Sequence, residues 1–195
     1  MRTWGIKIII IINIFMFVVN LLAGGGSFFG LLISGGGYVK EYGEVAYPHL
    51  FGQNQWWRLF SCGYLHMGVI HLLCNVFALQ FIGSKAESCL GSVKMAALYN
   101  LGVICMAFLW CLIFKDDSIV GASLGIYVLM GILAVQYLSD GEKGKYLLSK
   151  AAKRYLLCYI LVGCLLGIGT IVAHLLGFAV GMVFGKVVDR RDHKW

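Results

Sequence analysis

Apolar segments of about twenty residues, separated by short charged stretches, constrain this chain more than any other feature. One of them runs from Ile119 to Leu138, and its few polar members include Ser123, Tyr127 and Gln136. About twenty apolar residues are enough for a helix to cross the hydrocarbon core of a bilayer. The whole chain is 60% hydrophobic and only 13% charged, whereas soluble domains are about half apolar and a quarter charged. We therefore predict a polytopic, all-α membrane protein that forms one domain over residues 1–195.

The apolar pattern predicts six membrane-spanning helices. They cover approximately residues 8–23, 59–82, 95–114, 119–138, 153–168 and 170–188. The last two divide a 34-residue segment, 155–188, which is too long for one helix and whose central glycines favour a break. Residues 24–55 contain the only proline and are expected to form a folded outer loop. The first 23 residues resemble a signal peptide, but the spans that follow favour an uncleaved first helix.

The positive charges indicate the orientation in the membrane. With the N-terminus inside, 13 of the 16 Lys and Arg residues fall in inner segments and only Lys40, Arg58 and Lys115 in outer ones. Inner loops carry the excess of Lys and Arg in membrane proteins, so we predict that both termini are cytoplasmic. The net charge of +7 borders apolar segments, which favours a membrane surface over nucleic acid as the partner. This bias and the lack of an organellar presequence favour a bacterial plasma membrane.

The cysteines predict neither a disulfide framework nor a structural zinc site. They are odd in number, form no Cys-x-x-Cys pair and fall mostly inside apolar segments, at positions 62, 74, 89, 105, 111, 158 and 164. Such scattered cysteines are typical of small packing residues. We expect no metal and no cofactor.

Polar residues of three predicted helices fall in the same outer part of the membrane. Ser123 and His174 each lie about four residues, or roughly 6 Å, inside the outer boundary of their helix. His71 and Asn75 lie one turn apart on one face of the second span. Polar groups in lipid are costly unless they face a partner or water. A shared hydrated cavity on the outer side satisfies them all.

This set of side chains is suited to nucleophilic catalysis. A serine hydroxyl becomes a nucleophile when a histidine within hydrogen-bond reach takes its proton, which predicts a pair of Ser123 and His174. His71 and Asn75 offer donors for a developing oxyanion. Small residues let two membrane helices approach closely enough for such contacts. They are Gly121 and Gly125 around the serine, and Gly177, Gly181 and Gly185 after His174.

Four groups of residues, in register, resemble the rhomboid family of intramembrane serine proteases. They are Trp56-Trp57-Arg58, His66-x4-His71-x3-Asn75, Gly121-Ala122-Ser123 with Tyr127, and Ala173-His174-x2-Gly177-x3-Gly181, joined by Glu87-x2-Leu90-Gly91. The resemblance implies a six-helix rhomboid-like bundle with a Ser123–His174 dyad and no third acid. It implies an oxyanion hole formed by His71, Asn75 and the Ser123 backbone amide, and stacking of Tyr127 on His174. The implied substrates are transmembrane segments of single-pass membrane proteins. One departure is Leu124, where the family usually has glycine.

Several assignments stay open. Five residues separate His66 from His71, which on a helix turns the two side chains about 140° apart, so His66 is as well explained by a structural bond to the outer loop as by a role in the site. Arg58 and Glu87 are interpreted as structural residues that hold the outer loop and an inner turn.

Two other functions compete with the protease. A catalytically inactive rhomboid-like protein would bind or escort transmembrane segments, and Leu124 is the one feature in its favour. A transporter that uses the intramembrane histidines is disfavoured because no inverted repeat is evident.

Overall fold

The computed structural model describes residues 4–23, 42–139, 150–165 and 167–192. They form eight α-helices and two short strands. In chain order these are α1 (Gly5–Ala23), β1 (Val45–Ala46), α2 (Arg58–Ser61), α3 (Val69–Ala78), α4 (Ser84–Leu90), α5 (Ser92–Ile113), β2 (Ser118–Ile119), α6 (Ser123–Ser139), α7 (Lys150–Leu165) and α8 (Ile168–Asp192). A wide turn of π type, Leu79–Gly83, joins α3 to α4 without a break.

Four helical segments of the described chain are long and apolar enough to cross a membrane. They are Gly5–Leu22, Val69–Leu90, Ser92–Ile113 and Ile168–Val188, and α6 is a shorter apolar helix. The predicted all-α membrane fold is thus confirmed. Parts of the outer loop (24–41) and of the basic inner loop (140–149) lie outside the described residues.

The predicted bounds of the second span are wrong. We expected one helix over 59–82, but the chain forms the short helix α2, a tight turn at Cys62–Tyr64 and an extended residue at Leu65 before α3 begins at Val69. Gly68, with φ −174° and ψ 170°, ends this non-helical stretch. The helix then continues to Leu90. An apolar run alone does not separate a helix from a buried, irregular segment.

Helix α6 lies at the centre of the bundle. Every residue from 124 to 133 is buried, although a helix of this length usually has one exposed face. Helices α5 and α8 both pack against it, at positions where they carry glycine. A Cβ at Gly102 of α5 would lie 2.8 Å from a methyl of Val128, and one at Gly181 of α8 would lie 2.1 Å from the Val128 carbonyl oxygen. Only glycine permits these approaches.

Glu87 attaches the first helix to the rest of the bundle. Its side chain is 3% exposed, and its carboxylate accepts hydrogen bonds from the backbone N–H of Gly5 (2.7 Å) and of Ile6 (3.1 Å). The Ser92 hydroxyl donates to the same carboxylate. Those backbone donors lie in the first turn of α1, where helices lack internal acceptors and where the helix dipole favours negative charge. Glu87 belongs to α4, and its carboxylate links the start of α1 to Ser92.

The two short strands join the outer loop to the segment that precedes Ser123. They pair antiparallel, with Val45 opposite Ile119 and Ala46 opposite Ser118. The predicted fourth span began at Ile119, but that residue belongs to the sheet and the helix begins at Ser123. Backbone pairing outside the helix therefore positions the residues just before the serine.

Candidate active site

The serine is the first residue of α6. Its backbone N–H is one of the N-terminal groups that have no acceptor within the helix. Just before it, the Gly121 N–H donates to the Cys62 carbonyl at 2.8 Å, and Gly121 has φ +128°, a conformation that favours glycine. The side chain of Ser123 is partly exposed and lines a cavity. The turn thus projects the hydroxyl into open space.

His71 lies against this turn. A Cβ at Gly121 would be 2.8 Å from His71 Cε1, 2.9 Å from His71 Nε2 and 3.7 Å from the Ser123 hydroxyl oxygen. Glycine is therefore needed at position 121 for two reasons. The backbone conformation there favours glycine, and a Cβ would clash with the His71 imidazole. The structure brings together three residues that the sequence analysis selected from two helices.

His174 packs flat on Tyr127. The two ring centroids are 3.9 Å apart and the planes differ by 12°. Tyr127 lies one turn after Ser123 on α6, and a Cβ at Gly177, one turn after His174 on α8, would lie 3.1 Å from the Tyr127 Cβ. The glycine allows the close approach that the stacking requires. The contact that the family resemblance implied for these two rings is present.

Asn75 is held at both ends of its amide. The side chain is 1% exposed. Its Nδ2 donates to the His71 carbonyl oxygen at 2.9 Å, and its Oδ1 accepts from the Tyr159 hydroxyl at 2.9 Å. Tyr159 belongs to α7 and was missed by the sequence analysis. The signal was available, since Tyr155 and Tyr159 lie four residues apart in an apolar helix, where polar side chains seek partners.

His66 does not lie where its spacing predicted. It is in the extended stretch between the Cys62–Tyr64 turn and α3, so the 140° angle of a helix does not apply. Its ring is completely buried and meets the His71 ring edge-on, with centroids 5.0 Å apart and planes at 73°. Among the described residues neither ring nitrogen of His66 has a hydrogen-bond partner. His66 thus backs His71 by packing.

One cavity of about 620 Å³ joins these residues. Its lining includes Ser123, His174, His71, Asn75, Tyr159 and Gly163. The volume lies in the range of ligand pockets. Glu44 and Asp117 also line it, and neither was selected from the sequence. The described residues contain no group of three or more His, Cys, Asp or Glu that could hold a metal ion.

Leu124 does not obstruct this cavity. Its side chain is 2% exposed and packs in the hydrophobic core, and it is absent from the cavity lining. Gly125 has the more constrained position, because a Cβ there would lie 2.3 Å from the Tyr99 ring. The departure from the usual family residue therefore changes the core behind the serine and leaves the space in front of it open.

Arg58 makes two hydrogen bonds to the loop that precedes α2. Arg58 is 2% exposed. Its Nη1 donates to the Glu44 carbonyl at 2.8 Å and its Nε donates to Gln55 Oε1 at 2.5 Å. Nearby, desolvation and then the Arg58 charge lower the pKa of His49, while Glu44 acts in the opposite direction. These contacts place Glu44 and β1 beside the cavity.

Taken together, the fold and the cavity define a class: an all-α membrane protein with a serine, two histidines and an asparagine grouped around one cavity. Residues 53–191 match the family model of the rhomboid domain. The chain belongs to the rhomboid family and is a multi-pass membrane protein.

Similar proteins come from a plant, a yeast and a bacterium. RHOMBOID-like protein 7 of Arabidopsis thaliana is 29% identical over 94% of this chain and 66% of its own length. Rhomboid-type serine protease 2 of Yarrowia lipolytica is 28% identical over 60% of this chain and 42% of its own length. Rhomboid protease GlpG of Pectobacterium atrosepticum is 28% identical over 78% of this chain and 56% of its own length. The chain thus spans at most about two thirds of these relatives, two of which are named as proteases.

Proposed function

We propose that this chain is an intramembrane serine endopeptidase that cleaves transmembrane segments of membrane proteins through a dyad of Ser123 and His174. The observation that carries the proposal is that Ser123, His174, His71 and Asn75, from three different helices, line one cavity. Polar side chains in an apolar bundle cost free energy unless they pair with one another or face a water-filled cavity.

The proposed chemistry follows the general course of serine acyl transfer. The Ser123 hydroxyl attacks the scissile carbonyl while a His174 ring nitrogen takes its proton. His174 then returns that proton to the leaving amine, and water releases the acyl-enzyme by the reverse sequence. The hydrogen bond between Ser123 and His174 is part of this proposal, and we expect it to tighten when substrate is bound.

His71, Asn75 and the Ser123 amide are proposed to stabilise the oxyanion. The position of His71 over the Gly121 turn supports this role, since its Nε2 and the serine oxygen both lie beside Gly121, 2.9 Å and 3.7 Å from where a Cβ of that residue would be. Asn75 uses one Nδ2 hydrogen toward the His71 carbonyl, and an amide nitrogen has two. Removing one oxyanion donor from a serine protease costs about 10²–10³ in kcat. Tyr127 supports His174 by stacking and is not proposed to exchange protons.

The substrate class is part of the proposal. A peptide bond inside a helix is shielded by its own hydrogen bonds, so we expect cleavage at segments whose helix is weak. The side between α3 and α7 is the proposed route of entry. The 13-to-3 bias of basic residues supports cytoplasmic termini and a site open to the outer side, and a bacterial plasma membrane remains the proposed location.

Two variants test the function. Ser123→Ala and His174→Ala, purified in detergent or liposomes, are each expected to abolish cleavage of a transmembrane substrate without reducing the amount of protein. A fluorophosphonate probe is expected to label the wild type and not Ser123→Ala. Labelling that persists without Ser123 would refute the mechanism.

A protein that bound the transmembrane segment but neither cleaved it nor reacted with the probe would be the inactive relative instead. Leu124, the one feature in favour of that alternative, packs away from the cavity.

A further inference from the structure

We propose that Tyr159 is a positioning residue that orients the Asn75 amide, so that the oxyanion hole is complete only while α7 lies against α3. This inference rests on the proposed function. It assigns a role to a residue outside the four motifs that identified the site.

The hydrogen bonds around Asn75 admit only one orientation of its amide. The His71 carbonyl can only accept a hydrogen bond, so the nitrogen of the amide must face it. The oxygen then faces the Tyr159 hydroxyl, which must donate. One Nδ2 hydrogen remains, and its direction is set by these two bonds. Without the tyrosine hydroxyl, only the bond to His71 would restrain the amide.

Tyr159 also contacts the support of the histidine. Its ring is 8% exposed and stacks on Tyr127, with centroids 5.8 Å apart and planes at 26°. Tyr127 in turn stacks on His174. One side chain of α7 therefore touches both the amide that would bind the oxyanion and the ring that supports the base.

A second tyrosine provides an internal comparison. Tyr155 lies one turn before Tyr159, and its hydroxyl donates to the Cys74 backbone carbonyl at 2.9 Å. It therefore also links α7 to α3 by one hydrogen bond. The bond ends on backbone, however, and does not involve the Asn75 side chain. Removing either hydroxyl weakens the helix contact by one bond, but only Tyr159 acts on the amide.

The consequence concerns the order of events. If α7 moves outward to admit a substrate segment, the bond from Tyr159 to Asn75 breaks and the amide loses its fixed direction. Acyl transfer would then follow the return of α7 to α3. Substrate entry and oxyanion stabilisation would thus be linked through one hydroxyl.

The test is a double-mutant cycle measured with a purified transmembrane substrate in liposomes. Tyr159→Phe keeps the ring and removes the hydroxyl, and it is expected to lower kcat about three- to tenfold, the range for loss of one hydrogen bond. In an Asn75→Ala background the same change is expected to alter kcat less than about twofold, because coupled residues are not additive. Tyr155→Phe is expected not to lower kcat and to have the same effect in both backgrounds.

Each other outcome has a defined meaning. If Tyr159→Phe lowers kcat equally in both backgrounds, or if Tyr155→Phe lowers it as much, the positioning role is wrong while the protease assignment stands. If the wild type shows no cleavage that depends on Ser123, the proposed function fails first and this inference fails with it.

Stability is checked by thermal unfolding of each variant. Should Tyr159→Phe fold poorly, 3-fluorotyrosine at position 159 preserves ring and hydroxyl with a more acidic donor. If 3-fluorotyrosine changes kcat in the otherwise wild-type protein but not in Asn75→Ala, the positioning role is supported. If it leaves kcat unchanged in the otherwise wild-type protein, the role is overturned.

Discussion

Helices α6 and α8 approach each other backbone to backbone, whereas α7 is bound to α3 through the ends of long side chains. A Cβ at Gly131 of α6 would lie 2.1 Å from the Phe178 carbonyl oxygen of α8. The link from α7 to α3 consists of two tyrosine hydroxyls and ring contacts such as that of Tyr155 with Phe77, 6.1 Å between centroids.

We interpret the pair of α6 and α8 as the rigid part of the site, and the contact of α7 with α3 as the part that opens to a substrate. The proposed nucleophile and base lie on the two helices whose spacing cannot change without moving backbone. We propose that a substrate enters between α3 and α7. These two helices are held together by hydrogen bonds that contribute only about 1 kcal/mol each. Four predictions test this contrast, beginning with the largest expected effect.

The first prediction removes the close approach of α6 and α8. Gly181→Ala would place a methyl group 2.1 Å from the Val128 carbonyl oxygen, so backbone must move. Overpacking usually costs about 1–3 kcal/mol and more when backbone is displaced, and we expect a clear fall in the thermal unfolding midpoint together with loss of cleavage. Gly52→Ala is the control, since nothing lies within 4 Å of its Cβ position. Equal stability of both variants would contradict the comparison.

The second prediction immobilises α7 against α3. Phe77→Cys and Tyr155→Cys, introduced after the seven native cysteines are replaced, occupy positions whose rings are 6.1 Å apart between centroids. Joining them with a bifunctional thiol reagent that contains a disulfide is expected to stop cleavage of a transmembrane substrate, and reduction to restore it. Fluorophosphonate labelling of Ser123 should survive the cross-link, because a small probe does not need α7 to move. Unchanged turnover of the cross-linked protein would argue against entry at this side.

The third prediction concerns Gly163, where the α7 backbone lies next to His174. A Cβ at Gly163 would lie 2.8 Å from His174 Cε1 and 3.0 Å from Nδ1. We expect Gly163→Ala to displace the imidazole and to lower kcat at least about tenfold, since a misplacement of about 1 Å can cost about 10²-fold. Gly169→Ala, whose Cβ would meet its neighbours at the ordinary distances of 3.7 and 3.9 Å, is the control. Similar kcat values for the two variants would show that the ring position is not critical.

The smallest effect is expected in the outer loop. Desolvation and the charge of Arg58 lower the pKa of His49 below its ordinary value of 6.5. The unfolded chain therefore binds a proton at His49 more readily than the folded chain does. Above about pH 6.5 this residue makes no pH-dependent contribution to the free energy of unfolding, and below that pH it reduces stability. We expect His49→Gln to lose less stability than the wild type between about pH 8 and pH 5 in thermal unfolding. Parallel pH profiles for the two proteins would exclude a role of His49.

The helices and the site were predictable from different kinds of signal. A membrane-spanning helix requires a long apolar run, because placing a polar group in lipid costs free energy at every position of the run. The bounds predicted for α1, α5 and α8 are therefore close to the observed ones. The motif residues Ser123, His174, His71 and Asn75 were selected because polar side chains are rare in such runs. Tyr159 and Gly163 were missed, since their importance depends on what a neighbouring helix brings next to them.

The amino-acid sequence by itself determined that this chain is an apolar helical bundle of the rhomboid family and which polar residues share its interior. Only the tertiary structure decided that α3 starts at Val69, that the His66 and His71 rings meet, that Leu124 packs away from the cavity and that Tyr159 bonds to Asn75. The physical reason is one of range. Hydrophobicity and helix formation are properties of neighbouring residues, whereas the direction of a side chain at this site depends on contacts between helices up to 84 positions apart.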